Sequence, residues 1–290
     1  MQLLTPALLR SAFGATADLA AQLARPSARI VPVDDPGAAS VQLGGLPLLP
    51  DGFTWPTWAG HALDFVADVD LAAVHAVLPT APLPAHGRML LFFATSLFGP
   101  NGELVGALEP HSREGWHLAH VPAETERRPA VLPKSVNNPL VHGPFQTVHA
   151  ELVGELTVPD TWESGVPDEW GGDAVWEGFE RLREAGWDGP HHRIGGWPQP
   201  TQSAPAAPAA LAAEGLTAPD GSVEWNDPRV RQASERANDE WWLALQLDTD
   251  DGDDGPGWMW GDAGVVFVYG RPDALRAGAF DRVWLNWDCH

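Results

Sequence analysis

The sequence predicts an α+β protein built mainly of antiparallel sheets, from two divergent internal repeats with peripheral helices. Two observations lead to this prediction. Short apolar runs follow one another without a crossover helix between them, which favours antiparallel pairing. An ordered set of segments also occurs twice along the chain. With 290 residues and a hydrophobic fraction of 44%, residues 1–290 can form one compact domain.

Helices are predicted from capping residues and periodic apolar side chains. Thr5 and Pro6 begin a first helix, and Pro26 ends its pattern. Asp70 caps a short helix that Pro79 stops. The same signals predict two further helices, over residues 173–185 and 227–240.

Strands are predicted where apolar and β-branched residues cluster between turn signals. The continuous apolar run at 89–93 is typical of a strand buried on both faces. The other predicted strands are 29–33, 63–69, 116–121, 242–247, 264–269 and 283–287. Residues 198–222 are rich in alanine and proline, so they are predicted to be a long surface loop.

Three elements recur in the same order in the two halves. Residues 43–47 and 194–198 both read apolar-Gly-Gly-apolar-Pro. Residues 65–70 and 243–248 are both strands that end in aspartate, and each is followed by a glycine and an apolar run. We therefore expect two repeat units, at about 29–158 and 190–290, that superpose strand for strand.

Equivalent polar positions in the two units predict a shared ligand site. Side chains two residues apart lie on the same face of a strand, so each terminal aspartate is expected beside the polar residue two positions before it. A cleft between related units is a common place for a pocket. The predicted ligand-binding residues are Asp68, Asp70, Gln246, Asp248, Trp260 and Asp262.

The charge balance restricts the classes of partner. The chain has 17 basic and 39 acidic residues, a formal net charge of -22. Such a field repels phosphate backbones and anionic membranes, so nucleic acid and membrane are excluded as expected partners, whereas a basic peptide or protein is allowed. The single Cys289, the lack of a signal-type apolar run and the lack of an apolar run of about 20 residues predict a cytoplasmic protein.

No segment matches a motif that would identify a reaction. Walker, GxSxG and GxGxxG patterns are missing, so no catalytic residue and no cofactor are predicted. The aspartates at 248–254 do not fit an EF-hand, because Gly252 comes one position early and Met259 stands at position twelve. Two alternatives remain for these aspartates: they form a solvated loop, or they bind a cation. The pairs His191-His192 and Cys289-His290 lack the partners of a zinc site or a nucleophile.

Several of these segments carry a family resemblance. They include residues 24–26, 44–47, 65–70, 87–93, 192–196, 245–248, 258–264 and 280–284. Together they resemble the YwqG-like family, a bacterial domain of unknown function. The resemblance implies an α+β fold with internal repetition and no established activity. Asp68 departs from the family, which usually shows glutamine there, as Gln246 does in the second unit.

Three functional hypotheses follow from these observations. The leading one is a non-catalytic binding or protein-interaction module for a basic peptide or protein, because the acidic loop and nearby Trp258 and Trp260 resemble a recognition surface. The first alternative is a metal-assisted hydrolase using the acidic cluster. The second is a glycan-binding module, since 15 tryptophans supply faces that could stack on sugars.

Overall fold

One large antiparallel sheet organises the molecule. The computed structural model describes residues 2–134, 138–161, 163 and 165–290. Within these residues, ten strands form a sheet in the order β14-β13-β12-β11-β1-β10-β2-β6-β7-β8. The strands are β1 Arg25–Pro32, β2 Val41–Leu43, β3 Leu48–Pro50, β4 Thr57–Trp58, β5 His61–Ala62, β6 Asp64–Asp70, β7 Arg88–Phe93, β8 Trp116–Val121, β9 Arg127–Pro129, β10 Val148–Thr157, β11 Arg193–Ile194, β12 Trp242–Asp248, β13 Val265–Gly270 and β14 Trp284–Asp288. The helices are α1 Pro6–Phe13, α2 Ala17–Leu23, α3 Leu71–Val77, α4 Asp173–Glu184, α5 Ala206–Ala213, α6 Pro228–Glu240 and α7 Pro272–Arg276.

The sheet is nearly closed, because its two edge strands approach each other. Trp116 at the start of β8 and Trp284 at the start of β14 have ring centroids 5.9 Å apart. The Arg113 guanidinium lies over both rings. The predicted α+β class with antiparallel pairing is therefore confirmed. The strands of both halves lie in one continuous sheet and not in two sheets packed together, because β1 of the first half pairs with β11 of the second.

Local signals placed several elements correctly. The Asp70 carboxylate accepts the amides of Ala72 and Ala73 and caps α3. The run at β7 is buried along five of its six residues. Asp227 caps α6 through the Arg229 amide. Thr5 caps α1, but the first helix is divided at Gly14, whose φ of 48° leaves the helical region.

One expectation needs correction, and one strand was not predicted. The predicted surface loop 198–222 contains α5, which packs with α6 and Trp241 against β13 and is largely buried. Alanine-rich sequence formed a helix here because its small side chains fit closely against that face. The second miss is β10, the longest strand, which pairs with both β1 and β2 at the centre of the sheet. This strand was not predicted, because Gly154 and the buried Glu155 interrupt its apolar pattern.

The two Gly-Gly pairs form the tight turns that the sequence predicted. Both glycines of each pair have φ between 63° and 78°. A Cβ at Gly45 would lie 2.0 Å from the Thr147 hydroxyl, and one at Gly196 would lie 2.5 Å from the Thr157 hydroxyl. Glycine is therefore required both for the backbone conformation and for the close approach.

Candidate functional site

The connection between β12 and β13 is a loop closed by its own hydrogen bonds. Asp250 and Trp258 form an isolated antiparallel bridge, in which the Asp250 amide donates to the Trp258 carbonyl over 3.0 Å. The Thr249 hydroxyl donates to the Gly264 carbonyl over 2.9 Å and accepts the Trp260 amide over 3.1 Å. Residues 249–264 include five aspartates and are called the acidic loop below. Its shape is thus set before any ligand binds.

Two tryptophans anchor the acidic loop to the core. Trp258 donates its indole N–H to the Asp248 carbonyl over 2.8 Å, and its ring lies 5.1 Å from that of Trp260. Trp260 packs on Phe93 at 5.8 Å, and both tryptophans pack edge-on against Phe145. Each is 1% exposed. Neither ring offers a free face on which a sugar could stack.

Gln246 and Asp248 on β12 are hydrogen-bonded to the segment that precedes β11. The Gln246 amide donates to the His191 carbonyl over 3.0 Å, and the Asp248 carboxylate accepts the His191 amide over 2.9 Å. The Asp248 amide in turn donates to Nδ1 of His192 over 3.0 Å. Burial raises the pKa of Asp248. These two predicted residues therefore share a neighbour and form one group.

His192 connects this group to the acidic loop. Because its Nδ1 accepts a backbone N–H, the neutral ring carries its proton on Nε2. That Nε2 lies 3.2 Å from a carboxylate oxygen of Asp250, and the ring packs edge-on against Trp258. From the sequence, this histidine was considered only as a metal ligand, and no partners for a zinc site were found. The pairing of β11 with β12 reveals its structural role, which could have been foreseen only by pairing the strand before the second Gly-Gly turn with the strand after α6.

A buried ionic cluster lies behind the group. Arg29 on β1 and Arg193 on β11 are direct cross-strand neighbours and are fully buried. A carboxylate oxygen of Glu155 lies 3.5 Å from each guanidinium. His191 Nδ1 accepts from both arginines, and its distance to Arg193 Nη2 is 2.8 Å. Of these four residues only His191 was considered from the sequence, as a metal ligand, because three separate strands bring the four together.

The cluster is unsuited to proton transfer. Burial and the two neighbouring guanidinium groups hold the pKa of His191 far below its usual range. Its ring is therefore neutral near neutral pH, and its Nδ1 lone pair already accepts two donors. Burial lowers the pKa of Arg193 to about 10, so this side chain stays charged. The arrangement favours a structural role over acid-base catalysis.

The first-half residues form a different group. The Asp68 carboxylate is buried and accepts from Arg88 over 2.6 Å and from Arg127 over 2.8 Å. Asp70 lies 3.1 Å from the same Arg88 side chain. Asp262 is exposed, and its carbonyl accepts the His290 amide. Within the part of the chain that the structure describes, no hydrogen bond or ion pair joins the Asp68 group to the Asp248 group.

Two cavities flank the acidic loop. The first, the acidic cavity, has a volume of about 440 Å³. Its lining includes four aspartates and one histidine and no arginine or lysine. The lining residues are Ile30, Pro32, Asp188, Pro190, His192, Asp250, Gly252, Asp253, Asp254 and Gly255.

The second, the apolar cavity, is larger, at about 610 Å³. It lies between the acidic loop and two loops of the first half of the chain. Its lining contains no aspartate, glutamate, lysine or arginine. The lining residues are Thr95, Ser96, Leu97, Phe98, His142, Pro144, Phe145, Gln146, Pro256, Gly257, Trp258, Met259 and Gly261.

Neither a metal centre nor a membrane helix is found in the described residues. Their histidine, cysteine, aspartate and glutamate side chains nowhere form a group of three or more arranged to hold a metal ion. The donor arrangement thus gives no support to the metal-assisted hydrolase. Among the helices that the structure describes, none has the length and apolarity needed to cross a membrane.

Comparison with known proteins identifies one family. Residues 41–289 match the model of a family described as Domain of unknown function (DUF1963). The match covers nine of the ten strands of the large sheet, all except β1, and includes the loops at both cavities. A search of curated proteins found no match. The chain belongs to the family described as Domain of unknown function (DUF1963).

Proposed function

We propose that this protein is a non-catalytic binding protein that takes a lysine or arginine side chain of a peptide or protein partner into its acidic cavity. The observation that carries the proposal is the lining itself. Four aspartates surround a concave space of about 440 Å³, with no lysine or arginine among its lining residues. A cationic side chain entering this space would meet carboxylates on several sides.

The charge of the whole chain supports the same class of partner. The formal net charge of -22 attracts cations from a distance and repels anionic ligands. The apolar walls formed by Ile30, Pro32 and Pro190 suit the alkyl stem of a lysine or arginine. The preformed acidic loop lowers the entropy cost of binding.

The proposed test is selection from a displayed library of random short peptides. We expect the selected peptides to be enriched in lysine or arginine. A variant carrying Asp188→Asn, Asp253→Asn and Asp254→Asn should bind them about tenfold more weakly or worse. These three side chains are exposed, so the changes should leave the fold intact.

A matched control separates the site from the overall charge. The variant carrying Asp18→Asn, Glu124→Gln and Glu184→Gln removes the same charge from exposed positions outside the cavity. It should bind nearly as tightly as the unaltered protein, and the affinity should fall as salt is raised. Equal affinities for the two triple variants, or peptides without excess basic residues, would refute the proposal.

We also infer that the two halves arose by internal duplication. Strands β2-β6-β7-β8 run from the centre to one edge of the sheet, and β11-β12-β13-β14 run to the other edge in the same sequence order. β6 and β12 each carry a register shift near their starts, between Phe65 and Ala67 and between Leu243 and Leu245. Each half also has its Gly-Gly turn directly after the first of these strands. An experimental structure in which these strand sets fail to superpose would contradict the inference.

The location and origin are part of the same proposal. The resemblance to the YwqG-like family supports a bacterial protein, and the single Cys289 is in keeping with the reducing cytoplasm. Fractionation of cells that express a tagged chain would test this. Recovery of the tagged chain outside the cytoplasmic fraction would contradict it.

A further inference from the structure

The apolar cavity has the features of a specific binding site and is not used by the proposed function. It is large enough for one bulky side chain and part of a peptide backbone, and its uncharged walls combine aromatic, leucine, proline and methionine side chains with Thr95, Ser96, His142 and Gln146. Phe98 is 50% exposed and Met259 is 47% exposed at this cavity. Two large exposed apolar side chains at one cavity are typical of an interaction site, and methionine adapts to different partners.

The walls of the apolar cavity are rigid. The buried Asp64 carboxylate accepts the Thr95 hydroxyl over 2.5 Å and the amides of His142 and Gly143 over 3.1 and 2.8 Å. These bonds hold the two first-half loops together. The Gln146 amide then donates to the Pro256 carbonyl over 2.9 Å, which ties them to the acidic loop.

The backbone at the cavity is strained in a way that presents an apolar side chain. Leu97 has a φ of 65°, in the left-handed region that residues other than glycine rarely adopt. The next residue is Phe98, which is half exposed. Strain of this kind is usually kept where the surrounding structure requires it for function.

The two cavities are neighbours on one loop. Gly255 lines the acidic cavity, and the next residue, Pro256, lines the apolar cavity. Asp250 and Trp258 likewise line different cavities, although they are bridge partners about 5 Å apart across the loop. A single extended peptide crossing the loop could therefore reach both, with its two anchoring residues about two to four positions apart.

We propose that the apolar cavity binds a large apolar or aromatic side chain of the same basic peptide, so that the recognised motif pairs a lysine or arginine with such a residue. This inference rests on the proposed function. The adjacent acidic cavity decides the class of occupant, since it attracts cationic ligands. A second copy of this chain would bring a further charge of -22 and would be repelled.

The proposal is tested with two peptide libraries: one has a single fixed arginine and random flanking positions, and the other is random at every position and reports the preference for a basic residue. We expect enrichment of Trp, Phe, Leu or Met two to four positions from the arginine. The variant carrying Phe98→Ser and Met259→Ser should bind the selected peptides at least about tenfold more weakly, since burial of one such side chain is lost. The same variant should lose the apolar enrichment and keep the preference for arginine.

The control variant carries Leu46→Ser and Leu48→Ser, which removes two leucines of similar exposure outside the cavity. It should bind like the unaltered protein. If basic residues are selected without apolar ones, or if Phe98→Ser with Met259→Ser binds normally, this inference is overturned while the proposed function stands. If apolar residues are selected with no preference for a basic one, or if neither kind is selected, both are overturned.

Discussion

Replacing Glu155 with glutamine should destabilise the protein by about 3 to 5 kcal/mol. The carboxylate lies 3.5 Å from the guanidinium groups of both Arg29 and Arg193, which are buried and adjacent across β1 and β11. Glutamine has nearly the same shape but no charge. The substitution therefore leaves two buried cations side by side without an anion, and little else changes.

The magnitude follows from the two distances. At 3.5 Å and an effective dielectric constant of about 20, each attraction is worth about 5 kcal/mol. Removing the carboxylate also relieves its own desolvation, a penalty of several kcal/mol. The difference leaves a net loss in the range given above. The free energy of unfolding is measured by urea denaturation at neutral pH, with circular dichroism as the signal.

Two comparisons make the measurement decisive. Glu177→Gln removes an exposed pair with Arg181 on α4 and should cost no more than about 0.5 kcal/mol. Adding Arg29→Met to Glu155→Gln should cost less than the sum of the single changes, because one of the uncompensated cations is then gone. A loss below about 1 kcal/mol for Glu155→Gln would show that this carboxylate is not what stabilises the two arginines.

The other predictions concern three carboxylates, those of Asp68, Asp70 and Glu163, and one of the tight turns. Asp68→Asn should cost about 2 to 4 kcal/mol in the same denaturation assay, because Arg127 and Arg88 both lose the buried Asp68 charge and only Arg88 keeps Asp70 close by. Asp70→Asn should cost less than about 0.5 kcal/mol, since asparagine also caps helices well. Burial raises the pKa of Glu163 to about 7 from 4.5, so the folded state holds this proton more tightly than the unfolded state does. The contribution of protonated Glu163 to the free energy of unfolding is fully present below about pH 4.5 and is lost as the pH rises through 7. Between pH 5 and pH 8, the free energy of unfolding of Glu163→Gln should therefore rise by about 3 kcal/mol relative to that of the parent. A constant difference between the two proteins would contradict this. Gly45→Ala should cost at least about 1 kcal/mol more than Gly52→Ala, because both have positive φ but only the first meets a close neighbour; equal melting temperatures would refute the close approach.

The elements found from sequence are those whose causes lie within a few residues. The cap of α3, the proline and aspartate at the start of α6 and the apolar run of β7 each act over one turn or one strand. The Gly-Gly turns also depend on local backbone conformation. Such short-range signals predict where an element begins and ends, and they led to the antiparallel α+β class.

The candidate site was only partly within reach of the sequence. Gln246 and Asp248 were found because their strand ends in a recognisable pattern, and the structure places both beside the segment before β11. The prediction that they share a site with Asp68 and Asp70 stays untested. The two cavities were not foreseen, because each is lined by loops that are distant in the sequence.

By itself, the sequence determined the acidic charge, the local starts and stops of helices and strands, and the repeated order of segments. Only the tertiary structure decided that both halves share one sheet, because that depends on the pairing of β1 with β11. The same pairing explains why Glu155 could be buried within a strand: its two cationic partners come from β1 and β11. Long-range pairing sets which charges are neutralised and which loops enclose a cavity, and no local pattern of residues encodes it.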